Sequence, residues 1–326
     1  MRTLARPKSS VRQAGERVCP ACGERRPTSL IEHVNGYVIA RCGDCGLEFA
    51  DPMRALEYSY EEQYRAEARP AVRGAFDFAA TLDDLTMKVH RRGEKAFLMP
   101  GAYRVLEWIR ARLPAGSRLL ELGCGPGNFL AALVDAGYEA YGLDISATAV
   151  ERLRRLGFRT AAGTIRDYPA GWPEVEAVVM IEVLEHLEDP AGVLGAIRER
   201  FPRAALLLTV PSPRFWMARR GRMAADYPPN HLTRWAPAAL ERLLQRVGYG
   251  RVEVEMPPPS PAEWTGSGLT VRLVRGAGRL NPAAGQKTAV RAARWGGKAR
   301  WYVLWPYMQY LRGRGYSAAS LVAIAR

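Results

Sequence analysis

A short apolar strand that leads into a loop with three glycines narrows the choice of folds for this sequence. Residues 117–129 read SRLLELGCGPGNF, with an apolar run at 119–122, glycines at 123, 125 and 127, and a helix-like apolar pattern after the loop. Glycine lets the backbone turn sharply and approach a ligand at the carboxyl edge of a parallel sheet. The segment therefore predicts an α/β domain with a ligand site at this loop.

Two acidic residues near this loop indicate which charge the ligand carries. The dinucleotide fingerprint G-x-G-x-x-G places pyrophosphate on a helix N-terminus, whereas here the third glycine comes one residue early and Glu121 precedes the first by two. A carboxylate at this point repels pyrophosphate and suits a cation. A second strand, 140–143, ends in Asp144, and an acid at a strand tip can accept both hydroxyls of a ribose. A positively charged nucleoside fits both acids.

The glycine loop and the two acids resemble motifs of class I S-adenosylmethionine-dependent methyltransferases. Residues 162–167 resemble the third motif of that family and residues 178–190 the fourth, and the four motifs occur in the family's order. The resemblance covers roughly residues 95–256 and the last strand, and it implies S-adenosylmethionine as the cofactor. The residues that it implies for cofactor binding are Glu121, Gly123, Cys124, Gly125, Gly127, Asp144, Ile145, Thr164, Ile165 and Glu182.

Apolar periodicity between residues 95 and 326 alternates between helix and strand, which is typical of a mostly parallel sheet covered on both faces. Together with the resemblance it predicts an α/β fold with a Rossmann-like, seven-stranded, mostly parallel sheet whose last strand is antiparallel. The predicted helices cover residues 96–113, 147–156, 191–200 and 237–247. The predicted strands cover residues 119–122, 140–143, 159–162, 178–182, 204–210, 251–256 and 320–325.

Four of the five cysteines form two closely spaced pairs near the start of the sequence. Cys19 and Cys22 form one pair, Cys42 and Cys45 form the other, and a glycine follows each second cysteine. Each pair predicts a tight turn whose amides face the thiolates, and four thiolates suit a tetrahedral structural Zn2+ with no open position. We expect a small zinc ribbon whose metal supplies much of its folding free energy. Two redox pairs of the thioredoxin type are the weaker alternative.

The chain divides into six predicted parts. They are a basic N-terminal segment at 1–18, the zinc ribbon at 19–52, a tyrosine-rich linker or lid at 53–94, the methyltransferase core at 95–256, a basic, aromatic, helical insertion at 257–316, and the last core strand at 317–326. In the resembled family the last two strands form an antiparallel hairpin, so this insertion separates two strands that are expected to pair.

Most of the net charge of +14 lies in the insertion and the tail, because eleven arginines and lysines and no acidic residue follow Glu263. Basic and aromatic residues within 272–314 suit an anionic membrane surface or a phosphorylated substrate. The alternative is an ordinary helical cap or dimer contact, and the oligomeric state stays open. The sequence shows neither a secretory signal nor an apolar run long enough to span a bilayer. We therefore expect a cytoplasmic protein, peripheral at the inner membrane surface if the insertion binds lipid.

Two histidines fall at the ligand-bearing edge of the predicted sheet and are candidate bases. His186 follows the fourth strand beside Glu185, and His231 lies in the loop after the fifth strand. An imidazole titrates near neutrality and can take a proton from a hydroxyl or an activated carbon. Glu185-His186 resembles the pair in ubiquinone-biosynthesis O-methyltransferases, yet His231 is the preferred base. The structural alternatives are that His186 caps the following helix and that His231 pins its own loop.

The sequence therefore predicts an S-adenosylmethionine-dependent methyltransferase that acts on an oxygen or carbon of a small or lipid-linked acceptor. The fourth motif lacks the Asn/Asp-Pro-Pro-aromatic signature of amide and exocyclic amine methylation. The order of ribbon, linker and core also resembles deoxysugar C-methyltransferases, without their larger C-terminal domain. Two alternatives stay open. One is an RNA methyltransferase that binds phosphates through the ribbon and the insertion. Nucleic acid is a less favoured partner than a small acceptor or a membrane surface. The other is a non-enzymatic zinc-ribbon protein with a vestigial pocket.

Overall fold

Two β-sheets form the framework of the protein in the computed structural model, which describes residues 17–25, 29–55, 100–215, 226–259 and 305–326. The smaller sheet begins with three antiparallel strands, β1 (Ser29–Val34), β2 (Tyr37–Arg41) and β3 (Glu48–Asp51). Strands β1 and β2 are joined by Asn35 and Gly36, both with positive φ, as a two-residue hairpin turn requires.

The larger sheet is built from strands that alternate with helices, as the apolar periodicity predicts. In chain order the next elements are α1 (Pro100–Arg112), β4 (Arg118–Leu122), α2 (Asn128–Asp135), β5 (Glu139–Asp144), α3 (Ala147–Arg155), β6 (Arg159–Ala162), β7 (Ala177–Ile181), α4 (Pro190–Arg200), β8 (Ala205–Pro211), β9 (Thr233–Arg234), α5 (Pro237–Arg246), β10 (Val252–Glu255) and β11 (Ser320–Ala325). Two short 3₁₀ turns lie at Ile165–Asp167 and Leu184–His186.

The strand order of the larger sheet is β10-β11-β8-β7-β4-β5-β6. All pairs from β8 to β6 are parallel, whereas β11 runs antiparallel to both of its neighbours. Every residue of β11 is buried, because this strand lies inside the sheet rather than at its edge. The prediction of a seven-stranded, mostly parallel sheet with an antiparallel last strand is confirmed. The predicted pairing of the last two strands across the insertion is confirmed as well.

Short polar caps begin the helices that lead away from the ligand-bearing edge. The hydroxyl of Ser146 accepts a hydrogen bond from the backbone N–H of Ala149 at 3.2 Å at the start of α3. The carboxylate of Asp189 accepts one from Gly192 at 2.9 Å at the start of α4, where Pro190 occupies the first turn. These caps satisfy amides that have no partner inside the helix, so each helix begins directly after its loop.

The apolar core continues from the larger sheet into the cysteine-rich module. One cluster of buried residues contains Cys42, Leu47 and Phe49 together with Trp235 and Leu240, which lie in and before α5. A second cluster fills the other face of the larger sheet beneath α1 and α2. The fourth strand of the small sheet, β9, comes from the segment that follows β8 in the chain. The ribbon therefore does not fold around a separate core.

Sequence patterns located these elements to within a few residues, with two differences. Strand β1 was not predicted, because its side chains are only half-buried or exposed and it carries Glu32 and His33 among its apolar residues. The predicted ribbon boundary at residue 52 also leaves out β9, which completes the small sheet. Strand pairing between residues so far apart in the chain has no local sequence signal.

Several predicted segments lie outside the described residues. These are the basic N-terminal segment, the tyrosine-rich linker after residue 55 and the insertion between residues 260 and 304. The end of the insertion is described, and it contains a helical segment at 305–313. Among the described helices none has the length and the apolar character needed to cross a membrane.

Candidate functional site

A cavity of about 450 Å³ lies at the carboxyl edge of strands β4, β5, β6 and β7. Its size falls within the range of small-molecule sites, which is about 300–1,000 Å³. Open α/β sheets bind ligands at this edge, so the position of the cavity agrees with the sequence prediction. The predicted cofactor residues that line it are Gly123, Asp144, Ile145, Thr164, Ile165 and Glu182, and the predicted base His186 lines it too.

The acid at the tip of β5 is held against the glycine loop. Asp144 is buried, and its Oδ2 accepts a hydrogen bond from the backbone N–H of Gly125 at 2.7 Å. Its Oδ1 accepts another from the N–H of Ser146 at 2.9 Å. A carboxylate accepts hydrogen bonds, and hydroxyl groups such as those of a ribose are suitable donors to it. Asp144 and Gly125, which the prediction assigns to one ligand, are in direct contact.

The glycines of the loop have backbone angles that other residues rarely adopt. Gly123, Gly125 and Gly127 have φ values of 77°, 46° and 84°. A Cβ at Gly123 would lie 2.5 Å from Cγ2 of Val183, which itself lines the cavity. A Cβ at Gly127 would clash with the side chain of Leu153 of α3. Gly127 thus permits close packing of the loop on α3, whereas Gly123 borders the cavity.

Two of the predicted cofactor residues lie behind the cavity wall rather than in it. Glu121 is buried, and burial together with the nearby carboxylate of Asp144 raises its pKa well above the ordinary value. Its Oε2 has no hydrogen-bond partner among the described residues. Cys124 is buried beside Gly142 in the core under β5, and burial raises the pKa of its thiol. Neither side chain belongs to the cavity lining.

The far end of the cavity has an apolar wall suited to a flat ring. Ile145 follows Asp144, is 60% exposed and lines the cavity. Thr164 and Ile165 face it after β6, where Thr164 shares two hydrogen bonds of 2.8 Å with the carboxylate of Asp167. This reciprocal cap holds the turn in place.

Glu182 occupies a strained position at the end of β7. Its φ of 53° is left-handed, which is uncommon for a residue other than glycine and is frequent at functional sites. Its Oε1 is shielded from solvent and finds no hydrogen-bond partner in the described part of the chain. Burial raises the pKa of Glu182 to about 7. The carboxyl group is therefore poised between its neutral and charged forms at neutral pH.

The two candidate bases are in contact with each other, and of the two only His186 lines the cavity. The rings of His186 and His231 are 4.7 Å apart, centre to centre, in an edge-to-face arrangement. Nδ1 of His186 lies 2.7 Å from the carbonyl oxygen of Asn230 and must donate to it, which leaves Nε2 without a proton in the neutral ring. Burial lowers the pKa of His186, and burial and the neighbouring His186 lower that of His231 to about 4. Both imidazoles are neutral at pH 7.

Glu185 lies beneath the histidine pair and is almost completely buried. Burial, followed by the charge of Glu182, raises the pKa of Glu185 well above the ordinary value. Its oxygens have no hydrogen-bond partner within the described ranges, and Oε1 lies 3.8 Å from Nε2 of His186. Donor atoms of Glu185, His186 and His231 all fall within 4.8 Å of one another.

The four paired cysteines converge at the base of the small sheet. The sulfur atoms of Cys19 and Cys45 are 3.6 Å apart, and those of Cys22 and Cys42 are 3.7 Å apart. All four sulfurs fall within 4.8 Å of one another. A tetrahedron with Zn–S bonds of about 2.3 Å has edges of about 3.8 Å, so these spacings fit one zinc ion.

Four residues around the site were not predicted from the sequence. Asp226 approaches His231, with 3.8 Å between its Oδ1 and the Nδ1 of the ring, and Asn230 fixes the tautomer of His186. The carboxylate of Glu188 accepts a hydrogen bond from the backbone N–H of Ala55 at 2.9 Å, and both residues line the cavity. Asp226 and Asn230 share a short polar segment with His231, and that proximity is the only sequence signal that points to any of the four.

Comparison with known proteins gives results in line with this geometry. A family model described as a methyltransferase domain matches residues 91–254. A ubiquinone biosynthesis O-methyltransferase of Thiobacillus denitrificans is 34% identical over 100 residues, which are 28% of this chain and 43% of that protein. The enzyme of the same name from Methylococcus capsulatus is 37% identical over 101 residues, which are 28% of this chain and 42% of that protein. The matches thus span about two fifths of the length of these relatives.

Solved methyltransferase structures also align with this chain, at low sequence identity. A SAM-dependent methyltransferase from Archaeoglobus fulgidus aligns with a TM-score of 0.44 at 17% identity, covering 69% of this chain and 93% of that one. Magnesium protoporphyrin IX methyltransferase from Synechocystis, solved with bound SAH, aligns with a TM-score of 0.39 at 16% identity, covering 59% of this chain and 86% of that one.

Proposed function

This chain belongs to the methyltransferase domain family, and we propose that it transfers a methyl group from S-adenosylmethionine to an oxygen or carbon nucleophile of a small acceptor. The hydrogen bond between the N–H of Gly125 and Asp144, which lines the cavity, carries this proposal. A strand-tip carboxylate beside a loop free of side chains suits the ribose of a nucleoside. Ile145, Thr164 and Ile165 supply the wall for its adenine.

The carboxyl group of Glu182 can complement the positive charge of the cofactor. S-adenosylmethionine, when bound, supplies the methyl group on a sulfonium cation. A nearby cation favours the charged form of a carboxyl group, so binding lowers the pKa of Glu182 from about 7 and ionises it. An ionised Glu182 at the cavity therefore favours a cationic nucleoside over a pyrophosphate.

Proton transfer falls to the histidine pair. Methyl transfer is an in-line displacement, in which the enzyme aligns the nucleophile and removes a proton where the nucleophile carries one. Neutral His231 and the unprotonated Nε2 of neutral His186 can each accept that proton. The pocket is therefore suited to a neutral hydroxyl or an acidic C–H group, and the O-methyltransferase names of the relatives favour oxygen.

The end of the insertion supports a lipid-linked acceptor presented at an anionic membrane surface. Trp305 and Tyr310 are 44% and 59% exposed on the helical segment 305–313, and Arg312 is exposed beside them. This segment joins the larger sheet next to the end of β8, through a bridge between Phe215 and Ser317. Aromatic and basic residues together are typical of surfaces that bind the headgroup region.

The cysteine cluster is proposed to hold a structural zinc ion. Four thiolate donors and sulfur spacings near 3.7 Å suit Zn2+, and four protein ligands leave no position open for catalysis. The cluster is part of a core that includes Trp235 and Leu240, so the metal stabilises the docking of the ribbon on the larger sheet as well as the ribbon itself.

Calorimetric titration with S-adenosylmethionine tests the cofactor assignment. Asp144→Ala removes two charge-assisted hydrogen bonds to ribose, each worth about 1.5–3 kcal/mol, and should weaken binding by roughly 10²–10⁴-fold. Glu151→Ala, which removes an exposed carboxylate from α3, is the matched control and should bind as the wild type does. No measurable heat with the wild-type protein would contradict the proposal and favour the non-enzymatic alternative.

Release of S-adenosylhomocysteine in the presence of a panel of acceptors tests the reaction. Phenols and catechols should be methylated if oxygen is the nucleophile, and prenylated forms should be preferred if the acceptor is lipid-linked. Steeply salt-dependent binding of RNA, together with turnover of RNA and none of these compounds, would contradict a small acceptor.

A further inference from the structure

Strand β9 leaves the larger fold and completes the sheet of the ribbon. Phe49 pairs with Thr233 and Glu48 with Arg234, and the backbone N–H of the next ribbon residue, Ala50, donates to the carbonyl of Leu232 at 2.8 Å. This pairing begins directly after His231. The backbone position of the candidate base therefore depends on a strand that lies about 185 positions earlier in the chain.

Side chains strengthen the same connection. Leu232 is buried in a small apolar cluster with Tyr37, Ile39 and Ala50, all of which belong to the ribbon. At the tip of the β1–β2 hairpin, Nδ2 of Asn35 donates a hydrogen bond of 2.7 Å to the carbonyl of Pro228. The ribbon thus contacts the loop of residues 226–232, here called the His231 loop, on both sides of His231.

A buried carboxylate joins the ribbon to two parts of the larger fold. Glu48 is 7% exposed, and its Oε1 accepts a hydrogen bond of 3.1 Å from Nε of Arg41 within the ribbon. Its Oε2 lies 3.6 Å from Nη1 of Arg234. Nη2 of Arg234 donates to the carbonyl of Pro213, after β8, at 2.9 Å. Arg234 therefore links the ribbon, β9 and the end of β8.

The other side of the His231 loop contacts the candidate catalytic segment. The backbone N–H of Leu232 donates to the carbonyl of Glu185 at 2.8 Å, and the carbonyl of Asn230 accepts from His186 at 2.7 Å. The loop is thus held between the ribbon and the residues that surround the histidine pair. A shift of the ribbon would change the distance between His231 and His186.

The cysteine cluster determines where strand β3 begins. Cys42 and Cys45 directly precede it, and the N–H of Cys42 donates to the carbonyl of Leu47 at 2.9 Å. Helix α5 contacts the same turns, because Arg242 forms an ion pair with Asp44 and Arg246 donates to the carbonyl of Pro20 at 2.9 Å. Metal at the cysteines therefore orders the strand that pairs with β9.

We propose that the ribbon forms part of the acceptor site by holding the His231 loop, with Asn35 and Glu48 as positioning residues and the cysteine-bound metal as the support for both. This inference rests on the proposed role of His231 in methyl transfer. The contacts of Asp144 and the glycine loop lie on other elements. Disturbing the ribbon should therefore change acceptor turnover and leave the affinity for S-adenosylmethionine unaltered.

Asn35→Gly is the sharpest test of this inference. Glycine accepts the φ of 50° at this position without strain, so the variant keeps the hairpin and loses only the donor to Pro228. Hydrogen exchange followed by mass spectrometry should show about fivefold faster exchange in residues 226–236, the protection that one hydrogen bond typically provides. His33→Ala changes an exposed residue of the same hairpin and is the matched control. Unchanged exchange in Asn35→Gly would overturn the inference.

Glu48→Gln and metal removal extend the test to catalysis. Glu48→Gln keeps the shape of the side chain and removes its charge, so kcat should fall while the Kd for S-adenosylmethionine stays within twofold and one zinc per chain is retained. Stripping the metal from the full chain with a chelator should accelerate exchange in residues 226–236. Equal loss of cofactor affinity and turnover in Glu48→Gln would show a global effect and overturn the inference.

Hydrogen exchange needs no acceptor, which separates this inference from the proposed function. If the wild-type protein bound no S-adenosylmethionine, the proposed function would fail, whereas faster exchange in Asn35→Gly would still support the positioning of the loop. If methyl transfer were found and exchange in residues 226–236 did not respond to either variant or to metal removal, only the positioning would be refuted.

Discussion

Replacing Gly123 by alanine should damage stability and cofactor binding together. The φ of 77° at this position costs an alanine about 1–2 kcal/mol relative to glycine. The new Cβ would also lie 2.5 Å from Cγ2 and 3.3 Å from Cγ1 of Val183, a β-branched side chain with little rotamer freedom. Overpacking of this kind costs about 1–3 kcal/mol, so the total destabilisation is about 2–5 kcal/mol.

Gly116→Ala separates the two contributions. Gly116 has a φ of 81°, and no atom lies within 4 Å of a Cβ built there in the described structure, so its replacement should cost only the backbone contribution of about 1–2 kcal/mol. Urea unfolding monitored by circular dichroism measures the difference between the variants. Titration with S-adenosylmethionine should show weaker binding in Gly123→Ala alone, because Val183 lines the cavity. Equal destabilisation in both variants, or unaltered cofactor binding in Gly123→Ala, would refute the steric argument.

Four further measurements test other parts of the molecule. Cys22→Ser should lower the zinc content below one per chain, whereas Cys124→Ser, which changes a buried thiol outside the cluster, should keep one zinc per chain. Equal zinc contents in the two variants would argue against the proposed ligands. Burial lowers the pKa of His231 from 6.5 to about 4, so the folded state loses stability as the pH falls from 6.5 to 4. In His231→Gln the urea concentration at half-unfolding should fall less over this pH range, and an unchanged fall would contradict the burial argument. Burial raises the pKa of Glu182 from 4.5 to about 7, so the stability that this group contributes below pH 4.5 is lost as the pH rises to 7. Glu182→Gln should remove this pH-dependent loss of stability, and an unchanged loss in the variant would point to another group. Trp305→Ala should weaken co-sedimentation with phosphatidylglycerol vesicles, and equal sedimentation of both proteins would argue against membrane contact through this residue.

On the cofactor side, the sequence predicted six of the residues that line the cavity. Gly123, Asp144 and Thr164 lie at the ends of successive strands, and parallel strands bring their carboxyl ends to one edge of the sheet. The side-chain directions of Glu121 and Cys124 were less predictable. Both lie in the first motif, yet neither side chain belongs to the cavity lining, and Cys124 packs into the apolar cluster under β5.

The catalytic side could be predicted only in part. His186 and His231 were both candidates, and the structure brings their rings to 4.7 Å from each other. Their protonation depends on burial by several elements, which lowers the pKa of both rings and raises that of Glu185. Burial of this kind has no counterpart in the spacing of residues along the chain.

The amino-acid order alone was enough to predict the cysteine cluster, the glycine loop and the alternation of strands and helices, because each depends on local chemistry. A metal-binding turn, a left-handed glycine and an apolar period each require only residues that are close in the chain. The docking of the ribbon on the His231 loop is a property of the folded chain alone. Glu48 and Arg234 meet through strand pairing and a buried ion pair, and these interactions form only after the fold has brought distant segments together.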